Sequence, residues 1–368
     1  MTDDFKVITL EQEFLEDVTS LWTERFADDY IARRRIIFEW LTGGNPFDLR
    51  HNCYFLLLHQ RKVIGMHGHM PLSFHVNGHE ATGYLAHDDL LAKDYRGKGL
   101  GKVLLNGVAE QASEFSGALW FNEPNYKLYQ KSGWTDIPQF YPYYKIFDPT
   151  SLIEREIKNE IVQKLVSLGV KVFLKARKTP GNKNLYSEID ISPVERFDDE
   201  YDKLFEKIST HFGFIVARTE KYLNWKFIQK PFNNYKIFAA ADKTKQLSGF
   251  IVLKSETFEG GRRGKILDIL AHPEKPEVFG ALIHKGIQEF ERIGASYIEI
   301  VCTYPPFVKL LKKMGFIRRP NPLRFMVRNW EGQYEREFIG DIKNWYLTLG
   351  DADGDAWAVD AADAWNIR

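Results

Sequence analysis

The sequence predicts an α/β fold of the α+β kind, built from two similar βα-rich domains. Three observations carry that expectation: a length of 368 residues, an ordered series of matches between the two halves, and a strand, glycine-rich loop and amphipathic helix in direct succession. A chain this long exceeds what one core usually organises. Its 44% hydrophobic and 14% aromatic content is ample for two cores.

The matches run in order. Short β-type runs at 5–10 (FKVITL) and 186–191 (YSEIDI) each precede amphipathic helical patterns. Trp40 stands six residues before Pro46, and Trp225 six residues before Pro231. Strand-like stretches follow at 53–70 and 235–254, and HDDLLA (87–92) then pairs with LDILA (267–271). Counted from Ala92 and Ala271, Gly107 and Gly286 fall at the same offset, inside two helix-type patterns. Leu100, Val103, Leu104, Val108, Ala112 and Phe115 share one face; Phe279, Leu282, Ile283, Ile287 and Phe290 share the other. LYQKSGW (128–134) echoes LLKKMGF (310–316), with Pro124 and Pro306 ahead of each. An ordered series of this kind is the mark of an internal duplication.

The expected boundaries are a first domain over 1–149, a helical connector over 150–184, a second domain over 185–330 and an extension over 331–368. In the connector, Ile153, Ile157, Ile161, Leu165 and Leu168 form one apolar stripe that Pro180-Gly181 stops.

The charge balance narrows the partners. Fifty basic and 50 acidic residues cancel, which argues against nucleic acid polymers or an anionic membrane surface. No segment reaches the apolar length of a membrane span, and the first residues lack a signal pattern. Cys53 and Cys302 have no metal-type spacing and read as free thiols of a reducing compartment. A cytoplasmic protein acting on a small molecule is the expectation.

The chemistry begins at YRGKGLGKVLL (95–105). Gly97, Gly99 and Gly101 let the backbone turn tightly and approach a ligand, while a helix N-terminus supplies free N–H groups. Arg96, Lys98 and Lys102 add charge, so the stretch suits a diphosphate. No Gly-Lys-Ser/Thr follows, and the glycine spacing fails the dinucleotide pattern.

Arg96-Gly97-Lys98-Gly99-Leu100-Gly101 resembles the acyl-CoA loop of the GNAT acyltransferase superfamily, Arg/Gln-x-x-Gly-x-Gly. Downstream, the run from Asn122 through Tyr129 to Gly133-Trp134 resembles the next superfamily motif, Asn-x-x-Ala-x-x-Leu-Tyr-x-x-x-Gly-Phe. Asn125 and Trp134 depart from it, at positions expected not to touch the reacting groups. The resemblance implies tandem GNAT-like domains, each a mixed, splayed, mostly antiparallel sheet flanked by helices. It implies acyl-CoA as cosubstrate, its pantetheine arm pairing with the strand end at Leu90, Leu91 and Ala92. The loop holds the pyrophosphate, Asn122 lies in the cofactor site, and Tyr129 protonates the departing thiolate as an amine attacks the thioester.

The second copy reads as degraded. Gly97 is matched by Pro276, Lys98 by Glu277, Gly99 by Val278 and Tyr129 by Leu311. Each change opposes cofactor binding, so that half is expected to shape the acceptor pocket or brace the first. Residues 224–227 with Pro231, and the tail at 345–353, further resemble a bacterial tandem-GNAT group of surface-polysaccharide pathways. That resemblance implies a nucleotide-linked, dTDP-type amino-deoxyhexose as acceptor. A peptide, protein or small amine, or a CoA-binding protein without turnover, are the alternatives.

For the base, His87, Asp88 and Asp89 are available before the loop. Alternation places His87 and Asp89 on one face and Asp88 on the other unless a bulge intervenes. His67 and His69 share a face of the preceding strand and read as packing or acceptor-binding residues. Their His-x-His spacing lacks a third ligand, so no metal is expected. Tyr144, in the aromatic run 140–144, is a packing residue or a platform for a nucleotide base. The tail, Asp351-Ala-Asp353-Gly-Asp355, fails the calcium-loop pattern and is expected to be a solvated acidic terminus, with closure of the acceptor site by Asp351 or Asp353 the alternative.

Overall fold

The computed structural model describes residues 4–48, 53–109, 114–150, 153, 163, 167–169, 188–232, 234–258, 261–351 and 355. Most of the expected connector helix, together with Asp353, lies outside the described residues.

The first half runs β1 (Phe5–Thr9), α1 (Leu15–Thr23), α2 (Asp28–Gly44), β2 (Tyr54–His59), β3 (Lys62–Val76), β4 (His79–Leu91), α3 (Leu100–Ala109), β5 (Phe115–Leu119), α4 (Glu123–Lys131), β6 (Thr135–Asp136) and β7 (Pro142–Ile146). The second runs β8 (Asp190–Pro193), α5 (Asp199–Ser209), β9 (Phe214–Val216), α6 (Glu220–Leu223), β10 (Tyr235–Ala241), β11 (Leu247–Phe258), β12 (Gly261–Ala271), α7 (Pro276–Arg292), β13 (Tyr297–Val301), α8 (Pro305–Lys313), β14 (Ile317–Arg318), β15 (Phe325–Asn329), α9 (Arg336–Ile339) and β16 (Trp345–Tyr346).

The architecture is α/β, two mixed and mostly antiparallel sheets flanked by helices, as expected. One sheet has the order β1-β2-β3-β4-β5-β15-β6, with β9 against β3 and β16 against β9; the other has β14-β7-β13-β12-β11-β10-β8. The halves exchange a strand. First-half β7 sits between β13 and β14, and second-half β15 sits between β5 and β6. No single chain position therefore separates the sheets.

The repeat tryptophans meet at the junction. Trp40 and Trp225 stack at 4.7 Å, and each indole N–H donates to the other's main-chain carbonyl, at 3.2 and 3.5 Å. Their polar edges are thus satisfied while two large rings leave water. Of the stripe expected along α3, Ala112 lies outside the described residues. Leu100, Leu104 and Val108 are buried, but Phe115 opens β5, where its ring packs on Phe74, Phe214 and Trp345.

Both sheets open at one equivalent point. Parallel pairing of β4 with β5 ends at Ala86↔Ala118, and the β3–β4 register slips there, with Asp88 at φ +54°. Parallel pairing of β12 with β13 ends at Ile266↔Ile300, and the register slips past Leu267. Asp88 and Leu267 stand at the same offset from Ala92 and Ala271, so a β-bulge falls at the matching place in both sheets.

Asp351 and Asp355 of the acidic tail are not solvated. Asp351 is buried and ion-paired to the buried Arg218 at 2.8 Å, and Asp355 is paired with Lys254 at 2.8 Å. Among the described residues, no helix is long and apolar enough to cross a membrane.

Candidate active site

The bulge decides which side chains meet. His87 faces α2, its Nδ1 lying 3.5 Å from the Tyr54 hydroxyl, and Asp88 faces the same side in an ion pair with buried Arg34 of α2. Asp89 turns to the opposite face, toward α4. Strict alternation would have kept His87 and Asp89 together; the extra residue at Asp88 separates them. Gly68 is required here, because a Cβ at that position would lie 2.4 Å from the His87 ring.

Asp89 is the centre of a hydrogen-bonded group. The Tyr129 hydroxyl donates to its Oδ2 at 2.5 Å, and the Asn125 amide donates to the same oxygen at 2.9 Å. His67 Nδ1 lies 2.5 Å from the other oxygen, Oδ1. His67 is 1% exposed and its Nε2 has no partner, while the Asp89 side chain keeps 15% exposure. Tyr129 is buried between Trp134, at 4.6 Å, and Phe121, at 5.2 Å. The two departures from the motif thus do reach the residues expected to react, Asp89 and Tyr129. Asn125 holds the carboxylate and Trp134 packs on the phenol, the reverse of the sequence expectation.

Asn122 has a structural task. It is the N-cap of α4, its side-chain oxygen accepting from the Asn125 N–H at 3.0 Å, with Pro124 in the first turn. That cap fixes where α4 begins, and so where Asn125 and Tyr129 point.

The glycine loop has left-handed backbone at two positions. Gly97 and Gly99 adopt φ of +75° and +80°, and a Cβ on either would meet nothing within 4 Å. Glycine is therefore required by the backbone and not by crowding, and the loop faces open space. It leads into the N-terminus of α3, whose amides and dipole favour an anion. Gly101 does something else: a Cβ there would lie 3.0 Å from Leu128, so it lets α3 approach α4.

The Arg96 Nε donates to the Leu91 carbonyl at 2.8 Å, tying the loop to the end of β4. The Lys98 ammonium lies 5.4 Å above the Tyr95 ring, and the Lys102 N–H donates to the Gly99 carbonyl at 3.1 Å. Leu90 packs toward the α2 side and Leu91 toward α3, while the Ala92 N–H bonds the Ile64 carbonyl. The edge of β4 beyond Ala86 is unpaired with β5.

The remaining candidates lie apart from this group or serve packing. His69 shares the face of His67, with rings 5.7 Å apart, stacks on Tyr84 at 4.2 Å and meets Ser116 Oγ at 2.7 Å. Burial holds its pKa well below the usual value, with His67 and His87 adding to the shift. Burial likewise lowers the His87 pKa to about 3, helped by the fields of His67, Arg34 and Lys226. Burial raises the Asp88 pKa against the opposing pull of Arg34. Tyr144 belongs to the second sheet, where it contacts Glu299 at 3.4 Å and Tyr297. None of its recorded contacts is with the Asp89 group. No group of three or more His, Cys, Asp or Glu among the described residues is placed to hold a metal.

The second opening is filled by the chain itself. The Tyr346 hydroxyl donates to the Ile269 carbonyl of β12, while Thr303, just after β13, donates to the Trp345 carbonyl and accepts the Leu347 N–H. Residues 345–347 thus bridge the gap between the parted strands. Asp268, the counterpart of Asp89, is buried against Arg218, and Asp351 is ion-paired to the same guanidinium. Val278 and Leu311, the counterparts of Gly99 and Tyr129, are 1% and 0% exposed. Sequence reasoning did not find Arg218, Arg34 or the task of Asn125. The Asp89–Asp268 match was present in the repeat alignment and was the available signal.

A sheet opened at a bulge, a loop with left-handed glycines at a helix start and a phenol beside the opening now stand together in the first half. Residues 11–134 match the sequence model of the acetyltransferase (GNAT) family, so a GNAT domain occupies that part of the chain. No curated protein matches the chain. Among solved structures, the chain is similar to a GCN5-related N-acetyltransferase from Anabaena variabilis, at 15% identity and a TM-score of 0.58, over 89% of this chain and 73% of that one. A GCN5-related N-acetyltransferase from Kribbella flavida gives 16% identity and 0.58, over 89% and 71%. Saccharomyces cerevisiae N-myristoyltransferase with bound myristoyl-CoA gives 13% and 0.55, over 89% and 80%. At these identities the likeness is one of fold.

Proposed function

We propose that the protein transfers an acyl group from acyl-CoA to the amine of a nucleotide-linked amino-deoxyhexose, by direct attack of the amine on the thioester. The observation that carries the reading is the loop. Gly97 and Gly99 hold left-handed backbone that faces open space at the start of α3, one strand-end from Tyr129. In this reading the amides from Gly97 to Gly101 and the cations of Arg96, Lys98 and Lys102 bind the pyrophosphate. The free edge of β4 at Leu90–Ala92 pairs with the pantetheine arm, and Tyr129 supplies the proton for the thiolate. The second half binds no cofactor. It completes the first sheet with β15 and presents Lys226 close enough to perturb His87.

The acceptor class rests on the sequence resemblance. Thiol release from acetyl-CoA, measured with nucleotide amino sugars, free amino sugars, peptides and small amines, tests it. The fastest release is expected from a nucleotide amino sugar. Faster release with a peptide or small amine replaces the acceptor, and no release with any amine removes the activity.

A further inference from the structure

We propose that Lys226, Lys230 and Lys254 form a diphosphate site, which Asp355 of the tail occupies until the diphosphate of the nucleotide-linked acceptor displaces it. The inference rests on the acceptor reading above and deepens it, by assigning the residues that recognise the acceptor's charge. The three lysines are 1%, 2% and 5% exposed. Lysine is seldom buried so far without an anion beside it, because taking an ammonium out of water is costly. Lys254 has its anions: its Nζ lies 2.8 Å from Asp355 and 3.4 Å from Glu256. Both carboxylates are shared. Asp355 accepts from the Tyr235 hydroxyl at 2.5 Å, and Glu256 pairs with Arg263 at 2.7 Å and Lys265 at 3.0 Å. Among the described residues, Lys230 makes no hydrogen bond and no ion pair, and its ammonium lies 5.4 Å from the centre of the Tyr235 ring.

The backbone brings this cluster to the first sheet's opening. Trp225 stacks on Trp40 of α2, and Lys226 follows it in a π-helical turn over Asn224–Ile228. The Gln229 N–H closes that turn on the Asn224 carbonyl at 2.8 Å. Such turns are frequent at functional positions. Burial, and then the fields of His67, Arg34 and Lys226, lower the His87 pKa, so Lys226 lies within reach of the α2 face of the bulge. The same ammonium acts on Lys230. Burial lowers the Lys230 pKa to about 8 against the pull of Asp355, with Lys254 and Lys226 adding to the drop. Lys226 thus links the bulge, where the acceptor amine must arrive, to the lysines that would take its phosphates.

The charges favour an exchange of anions. Asp355 offers the three ammoniums a single charge, and Glu256 is divided among Lys254, Arg263 and Lys265. Burial would raise the Asp355 pKa, but Lys254 and Lys230 outweigh it and hold the carboxyl well below the usual range, so the tail presents an anion here. A sugar-linked diphosphate carries a charge on each phosphate and has more acceptor oxygens than a carboxylate. In the place of Asp355 it gives Lys230 a partner and keeps those of Lys254 and Tyr235.

The test uses the full chain carrying Gly99→Val, which removes the glycine loop as a competing anion site, titrated calorimetrically with thymidine diphosphate, inorganic pyrophosphate and thymidine. Both diphosphates should bind, one per chain, and thymidine should not. Adding Lys230→Met should weaken that binding by about 10-fold or more, Lys230→Arg should keep most of it, and Asp355→Asn should tighten it by about 3-fold or more. With the native loop, Lys230→Met should raise the KM for a nucleotide amino sugar about 10-fold more than the KM for the free amino sugar. If no amine is acylated, the acyl-transfer reading fails, and the site stands or falls on the titration. If a nucleotide amino sugar is acylated but no diphosphate binds the Gly99→Val chain, the site fails and that reading stands. A Lys230→Met affinity within about 3-fold of its parent, weaker binding in Asp355→Asn, or a Lys230→Met chain with the native loop that loses CoA instead would also overturn the proposal.

Discussion

Asp89 and Asp268 stand one residue beyond matching bulges in the two sheets, and their surroundings are opposite in kind. Asp89 meets a phenol, an imidazole and an amide, and keeps 15% of its side chain exposed. Asp268 meets a guanidinium that Asp351 shares, and it is 1% exposed. One opening is lined by a phenol, an imidazole and an amide around a partly exposed carboxylate. The other is closed by residues 345–347 and neutralised by Arg218. The two sheets thus share a backbone device, a bulge beside which two parallel strands part, and differ in what fills the gap. A backbone feature sets where chemistry can occur; the side chains and the tail decide whether it does.

The largest expected effect lies in the closed half. Arg218→Met removes the one cation in contact with two buried carboxylates and should cost about 3–5 kcal/mol in urea unfolding. The acyl-transfer site should still bind CoA in the variant that remains folded. A loss below about 1 kcal/mol would mean that the closure contributes little.

Leu311→Ala comes next. It empties a fully buried position, with an expected cost of about 2–5 kcal/mol in chemical denaturation and no change in CoA affinity. Its counterpart, Tyr129→Phe, keeps the ring and should leave stability within about 1.5 kcal/mol while turnover falls. If Leu311→Ala weakened CoA binding at unchanged fold, the second half would hold cofactor after all.

Acid separates the halves further. Burial keeps His87 neutral in the folded chain, with a pKa near 3, while the unfolded chain takes up that proton near 6.5. Its stabilising contribution is complete above pH 6.5 and is lost as the pH falls toward 3, with a slope of about 1.4 kcal/mol per pH unit. The burial-raised carboxyl of Asp88 works in the opposite sense, gaining stability as it protonates. The difference between wild type and His87→Gln isolates the imidazole: it should be constant above about pH 6.5, shift in the variant's favour as the pH falls, and level off below about pH 3. A difference independent of pH between 6.5 and 3 would contradict the burial argument.

The smallest effect concerns Asn125. Asn125→Ala, a return to the residue usual at that motif position, removes one donor to Asp89 and should lower kcat by about 5- to 10-fold, equivalent to about 1 kcal/mol. An unchanged kcat would mean that Tyr129 and His67 hold the carboxylate unaided.

Much of this was legible in the sequence, and the missing part has a common cause. The repeat of Trp40 and Trp225, the glycine loop and Tyr129 are local signals, each fixed by residues close in the chain. The exchange of β7 and β15 depends on pairings between Pro142–Ile146 and residues more than a hundred positions away, which no local pattern records. The bulge at Asp88 inverted the expected faces of His87 and Asp89, because one left-handed residue shifts every side chain after it. The tail was expected in solvent on its charge alone. The cation that buries it, Arg218, comes from another part of the chain, beside a strand whose run gives no hint of the contact. Asn125 was read as a neutral departure, since its amide finds Asp89 only once α4 is docked on β4.

The central claim is that the chain has two openings and one cofactor site. Calorimetric titration with CoA tests it directly. The wild type should bind one CoA per chain, and Gly99→Val, which places a branched side chain at φ +80°, should abolish that binding. Val278→Gly, the reciprocal change in the second half, should leave the stoichiometry at one. Two sites in the wild type, or one site that survives Gly99→Val in a folded chain, would contradict it.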